Sequence, residues 1–396
     1  YSWEGNTMYY TNACRNIRIV FAVFTIGLLL SFPSALEAAS GMPVISAKSA
    51  VVMEASTKKV LYEKKSDERR YPASTTKMMT LITALEHGNL DETVTTSTTA
   101  ANMEGSTLWL APGEQLRLRD LLYGVMLVSG NDAATVVAEH VAGSVDAFSR
   151  LMTEKARVMG ATNTNFTNSS GLPDPNHYST AYDLALIAAY GYSHPDFRTI
   201  ISTRHKTIPW PGKDHARELY NENKILYLYE GGNGVKTGYT DAAGRCLVSG
   251  AKRGDIQLIA VVLDADQMWQ DTISLLDYGF SQVKAVTLLK KGDMLKTVKV
   301  NNGTEGKISL MLSEDINVPV DSEDRDDFRT IIDAPGQVEA PLSAGQAMGK
   351  VRILYKDKEY ASVSLVTTEA VERKSFFNLL WMSVWNFFTF IIKNIA

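Results

Sequence analysis

The chain has 396 residues, of which 45% are hydrophobic and 21% charged, with a net charge of −4 at pH 7. A single core rarely grows beyond roughly 250–300 residues, so one large domain plus a smaller one is expected. With no basic field, nucleic acid is excluded as a partner.

Near the start, Arg15 and Arg18 precede the uncharged apolar run Ile19 to Phe32, followed by Pro33 and the small residues around Ala38 and Ala39. The run has 14 residues where a membrane span needs about 20, so residues 1–39 are expected to be a secretory signal peptide and its upstream residues, with cleavage near Ala38 or Ala39. Cys14 lies in that segment, which leaves Cys246 as the one thiol of the exported chain. Lacking a local His or Asp pattern, Cys246 is expected to be a core residue.

Ser49 to Ala55 and Lys59 to Tyr62 are apolar runs around Ser56-Thr57-Lys58, which predicts a hairpin. Helical periodicity follows over Ser74 to Leu85, Leu116 to Val128, Asp132 to Val141 and Val145 to Met159. Strands are expected at Arg245 to Ala251 and Ile256 to Leu263, then a helix from Trp269 to Tyr278. Strands at both ends with helices between them predict an α/β layer domain over 40–283. From 284 to 372 the runs Leu295 to Val300, Lys307 to Leu312, Val351 to Tyr355 and Ala361 to Val366 predict a small β-rich domain, read as a spacer. In the closing segment 373–396, Asn378, Asn386, Thr389 and Lys393 fall within about 80° on a helix at 100° per residue. The rest of its circumference is apolar and carries Trp381 and Trp385, so an amphipathic membrane anchor is expected.

Three short motifs carry chemistry. In Ser74-Thr75-Thr76-Lys77, at a helix start, the spacing of three lets hydroxyl and amine touch, so Lys77 can accept the proton of Ser74 if burial or nearby positive charge lowers its pKa. The same spacing recurs at Ser56/Lys59, Ser249/Lys252 and Ser281/Lys284, but only Ser74 sits where a helix brings the two side chains together. Ser129-Gly130-Asn131, between two predicted helices, could relay a proton through Ser129 and steady Lys77 or a substrate amide through Asn131; the competing reading is plain helix punctuation with an N-cap before Asp132. Lys236-Thr237-Gly238 supplies a cation, a hydroxyl and a residue without a side chain, which suit an extended peptide ending in a carboxylate. A phosphate-binding loop is excluded because Val235 precedes Lys236. His177 has no Asp placed to orient it and is read as structural, and the six histidines show no ligand spacing, so no metal is expected.

The order Ser-x-x-Lys, Ser-x-Asn, Lys-Thr-Gly resembles the penicillin-recognising serine enzymes, and among them the low-molecular-mass D-alanyl-D-alanine carboxypeptidases of peptidase family S11. The likeness includes Gly113-Glu114 through Leu121-Leu122, Asn168-Ser169-Ser170-Gly171-Leu172, His177-Tyr178-Ser179-Thr180 and Lys236-Thr237-Gly238-Tyr239-Thr240. It implies an antiparallel sheet with helices on both faces and an inserted helical part, followed by the β-rich domain. It implies acylation of Ser74 with Lys77 as base, help from Ser129 and Asn131, and carboxylate binding by Lys236 and Thr237. Gly238 completes the substrate edge, and the backbone N–H groups of Ser74 and Tyr239 form the oxyanion hole. The substrates implied are peptidoglycan stem peptides, with β-lactams as inhibitors, no cofactor, and a place at the outer face of the bacterial cytoplasmic membrane. Related enzymes often carry a basic residue shortly before Asn223, where this chain has Glu222, which leaves a second carboxylate-binding cation open. Crosslink-cleaving endopeptidase, low-turnover penicillin-binding receptor and β-lactamase are the competing activities; the lactamase ranks last because its Glu-x-x-Leu-Asn pattern is missing.

Overall fold

The computed structural model describes residues 41–320, 327–375, 384–385 and 389–390. The expected signal peptide and most of the expected anchor lie outside the described residues. Among the described residues no helix is long and apolar enough to cross a membrane.

The predicted first hairpin forms as β1 (Ser49–Glu54) and β2 (Val60–Lys64). Its turn is organised by Glu54, whose buried carboxylate accepts from Thr57 N at 2.8 Å and from the hydroxyls of Ser56 and Thr57. Two small ribbons follow, β3 (Thr93–Thr95) with β4 (Gln115–Arg117) and β5 (His205–Ile208) with β6 (Arg217–Tyr220). The main sheet is completed by β7 (Gly232–Thr240), β8 (Gly244–Arg253) and β9 (Ile256–Leu263), in the order β2-β1-β9-β8-β7 with every pair antiparallel.

Strand alternation gives this sheet two buried faces. Val51, Met53, Val248, Ile259 and Val261 join the larger core with the helices Lys77–His87, Leu118–Leu127, Asn131–Ala142, Val145–Val158 and Ala181–Gly191. Val52, Leu247, Leu258, Ala260 and Val262 face the second core, covered by the helix Met268–Gln282. Helices on both faces of an antiparallel sheet, with a helical part between β2 and β7, are the expected architecture. Cys246 is fully buried in the larger core, where burial pushes its thiol up to about 11.

Several expected boundaries shift, and the helix expected over Trp269 to Tyr278 runs from Met268 to Gln282. The helix expected from Ser74 opens with a 3-10 turn, Ala73–Thr76, because Thr75 bonds back to Pro72 O through its N–H and its hydroxyl. The helix expected from Leu116 begins at Leu118, because Gln115–Arg117 is drawn into pairing with Thr93–Thr95.

Beyond Val283 come β10 (Lys284–Leu289), β11 (Met294–Asn301), β12 (Lys307–Leu312), β13 (Ile316–Val320), β14 (Phe328–Asp333), β15 (Gln337–Glu339), β16 (Ala347–Tyr355) and β17 (Lys358–Thr367). They make a six-stranded sheet, β14-β16-β17-β12-β11-β15, and the ribbon β10-β13, around a third core that includes Val298, Leu310, Val351 and Leu365.

Candidate active site

One turn of chain sets the first pair. Lys77, fully buried at the head of its helix, places Nζ 2.9 Å from Ser74 Oγ, 2.7 Å from Asn131 Oδ1 and 2.7 Å from Ser170 O. Each of the last two acceptors is itself fixed. Asn131 donates from Nδ2 to Glu104 O at 2.6 Å, which orients its amide so that the oxygen faces Lys77. Asn168 Oδ1 accepts from Ser170 N at 3.1 Å and Gly171 N at 2.7 Å, bending that loop so that Ser170 O points inward. Gly171 has φ +89°, and a Cβ there would lie 1.9 Å from Ala73 O, so only glycine lets the loop come this close to Ser74.

Burial pushes the Lys77 amine well below the usual lysine range, and the charge of Lys236 pushes the same way, against weaker opposing pulls from Glu222 and Asp132. A neutral amine has two N–H donors and one lone pair. Asn131 Oδ1 and Ser170 O can only accept, so in the neutral form the two N–H groups go to them and the lone pair is left for the Ser74 hydroxyl.

On β7, Lys236 is buried and donates to Thr237 O at 3.0 Å and Thr237 Oγ1 at 3.3 Å; burial lowers its amine to about 8, against a pull from Glu222. Two residues on, a Cβ at Gly238 would lie 2.9 Å from Ser74 N, so this glycine lets the strand edge lie against the turn that carries Ser74. The Tyr239 side chain points away into solvent, its hydroxyl donating to Asp241 Oδ1 at 2.9 Å.

Ser129 makes no hydrogen bond to Ser74 or Lys77, and its place is set by its neighbour two residues on, Asn131. It sits with φ +63° in the turn between Leu127 and Asn131, buried, and its hydroxyl has no hydrogen-bond partner among the described residues. The left-handed region costs a non-glycine residue about 1–2 kcal/mol, and Ala73, beside Ser74, sits there too with φ +48°. The competing reading of Asn131 as helix punctuation fails, because Gly130 holds the N-cap position without a side-chain cap bond.

A frame not legible in the sequence holds this turn. Asp132 accepts from Leu108 N at 2.9 Å and Leu110 N at 3.1 Å, while Asn131 N donates to Ser106 O at 2.7 Å. Arg217 donates to Leu108 O at 2.9 Å and Trp109 O at 3.2 Å, and pairs in a two-pronged grip with Glu114 at 2.6 and 3.0 Å, both side chains 4% exposed. Glu114 falls in a segment that the family resemblance flagged; Arg217, 103 residues later, gave no signal.

His177 is likewise framework. Its Nδ1 accepts from Thr167 N at 3.1 Å, so its proton is on Nε2, which donates to Thr76 Oγ1 at 2.8 Å. Burial lowers its pKa from 6.5 to about 4. The folded ring stays neutral between those values while the unfolded chain takes up a proton, so stability falls as pH drops from 6.5 toward 4. At about 1.4 kcal/mol per unit, roughly 3 kcal/mol is expected to be lost across that window. Urea unfolding at pH 7 and pH 4.5 should show this loss in the parent protein and a smaller one in His177→Gln.

Among the described residues no group of three or more His, Cys, Asp or Glu side chains is placed to hold a metal ion. A buried lysine against a serine at a helix start, beside a five-stranded antiparallel sheet with helices on both faces, defines the class of penicillin-recognising serine enzymes. A family model described as D-alanyl-D-alanine carboxypeptidase, peptidase S11, matches residues 36–267, and one described as the C-terminal domain of penicillin-binding protein 5 matches residues 284–373. The chain therefore belongs to the S11 family of D-alanyl-D-alanine carboxypeptidases, and it is a hydrolase with the carboxypeptidase activity of the penicillin-binding proteins.

It is 37% identical to D-alanyl-D-alanine carboxypeptidase DacF of Bacillus subtilis (strain 168), over 84% of this chain and 87% of that one. To carboxypeptidase DacC of Escherichia coli (strain K12) it is 31% identical, over 89% and 92%. Among solved structures, penicillin binding protein 5 from Haemophilus influenzae aligns with a TM-score of 0.60 and 30% identity, over 84% of this chain and 99% of that chain.

Proposed function

We propose that Ser74 is the nucleophile and Lys77 its general base in removing the terminal D-alanine from peptidoglycan stem pentapeptides. The observation that carries this is the buried Lys77 Nζ 2.9 Å from Ser74 Oγ; in its neutral form, with both N–H groups taken by Asn131 and Ser170, the lone pair is left for the Ser74 hydroxyl.

Ser74 Oγ attacks the carbonyl carbon of the penultimate D-alanine as its proton passes to Lys77 Nζ. The oxyanion is held by the backbone N–H groups of Ser74 and Tyr239, a reading supported by the close approach of Gly238, the residue before Tyr239, to Ser74 N. Lys236 and Thr237 hold the terminal carboxylate. Collapse breaks the C–N bond, and the leaving amine takes the proton from Lys77 through the Ser129 hydroxyl. Water then cleaves the ester, Lys77 accepting its proton and returning it to Ser74. With a β-lactam the broken amide lies in a ring, so the leaving amine stays tethered to the acyl group and hinders the second step.

The sequence patterns support export and anchoring at the outer face of the cytoplasmic membrane through residues 373–396, with 40–283 as catalytic domain and 284–372 as spacer. The test uses the full chain in mild detergent and a pentapeptide ending in D-Ala-D-Ala. Release of D-alanine is expected; a folded protein that takes up penicillin yet releases none would overturn the carboxypeptidase assignment. Cell fractionation should place the full chain with membranes and a chain ending at Arg373 in the soluble fraction, and equal partition of the two would remove the anchor.

A further inference from the structure

A carboxylate stands at the edge of the Lys236–Thr237 pair. Glu222 is exposed between two buried asparagines. Asn221 is tied by its side chain to Thr203 O at 2.9 Å, and Asn223 Oδ1 receives Ile225 N at 3.0 Å. Glu222 N itself donates at 3.1 Å to Leu127 O, in the last turn of the helix that leads into Ser129. The backbone is thus pinned against the site, and Glu222 Oε2 accepts the Thr237 hydroxyl at 3.4 Å. Among the described residues Glu222 forms no ion pair, and both site lysines, Lys77 and Lys236, feel its charge.

The Thr237 hydroxyl is one of the two groups assigned above to the terminal carboxylate of the peptide, so Glu222 and that carboxylate compete for one donor and repel each other. We infer that Glu222 occupies the carboxylate seat of the resting site and sets terminal-group selectivity: it opposes donors that end in a free carboxylate and leaves donors with a neutral terminus, such as a C-terminal amide, unaffected. This rests on the carboxylate role given to Lys236 and Thr237 under the proposed function. Two carboxylates a few ångströms apart at a partly exposed site cost about tenfold in affinity.

The experiment compares the full-length parent and Glu222→Gln on two peptides that differ only at the end, D-Ala-D-Ala as free acid and as amide, and on acylation by benzylpenicillin, which also carries a carboxylate. In Glu222→Gln, kcat/KM for the free acid is expected to rise about tenfold, mostly through KM, and penicillin acylation to quicken by a similar factor. The amide is expected to change less than twofold. Unchanged or slower reaction of both the free acid and penicillin would overturn the inference while leaving the carboxypeptidase intact. Faster penicillin acylation with no D-alanine released by either protein would uphold Glu222 and overturn the carboxypeptidase reading instead.

Discussion

Lys77→Met is expected to fold and to be acylated by fluorescent penicillin about 10³-fold more slowly than the parent, with Ser74→Ala taking up no label. Methionine fills much of the lysine stem's space and removes a buried amine, so the larger core keeps its packing. Asn131 Oδ1 and Ser170 O each lose a donor, at about 1–3 kcal/mol apiece, partly offset because the costly burial of an amine is also gone. The chemical loss is separate from the structural one. With the lone pair aimed at Ser74 gone, the hydroxyl attacks with its proton still in place. Stopped-flow labelling beside a thermal melt separates the two effects; labelling within tenfold of the parent, on a folded variant, would remove Lys77 as the base.

Breaking the ion pair Arg217–Glu114 is expected to cost about 3–5 kcal/mol from either side, because each single change strands a buried charge. In Glu114→Leu the Arg217 guanidinium keeps its carbonyl acceptors at Leu108, Trp109 and Pro209 but loses its counter-charge. In Arg217→Met the carboxylate keeps Ala111 N and little else. The double variant, with two apolar side chains facing each other, is expected to recover part of the loss, and urea unfolding of the four proteins forms the cycle. Additive losses would show that the pair acts as two separate anchors. Because the pair holds the segment Leu108–Trp109 that frames Asn131, each single variant should also lose penicillin acylation at temperatures where it remains folded.

The site was legible where chemistry is local. Ser74 and Lys77 meet because a helix places residues three apart together, and the decoys separate by the same rule. Ser56 is spent on the Glu54 turn, Ser249 and Lys252 lie three apart on β8 and so face opposite ways, and Ser281 closes the helix Met268–Gln282. Beyond Asn131, which the Ser-x-Asn pattern offered as a partner of Lys77, the long-range contacts had no local signal. Nothing local ties Ser170 O to Lys77 across 93 residues, or Glu222 to Thr237 across 15.

The missed elements have definite causes. The helix Ala181–Gly191 is buried on nearly every side, so it has no polar face to give a period. The strand β7 carries three glycines in nine residues and so shows little strand periodicity; it is a strand because β8 supplies its ladder and the glycines admit close neighbours. Of the small strands in the β-rich domain, β14 and β15 are largely exposed, and an exposed strand shows no apolar alternation.

The Ser74–Lys77 spacing is local, but what lowers the Lys77 amine is not: it is buried by a core drawn from distant segments, and the charge of Lys236 adds to that from β7. In an unfolded chain Lys77 holds its proton at neutral pH and Ser74 is an ordinary alcohol. On the roles proposed for Ser74 and Lys77, the chain is chemically silent until its large core has closed, and covalent labelling by a β-lactam counts folded molecules, which makes the antibiotic a reporter of folding.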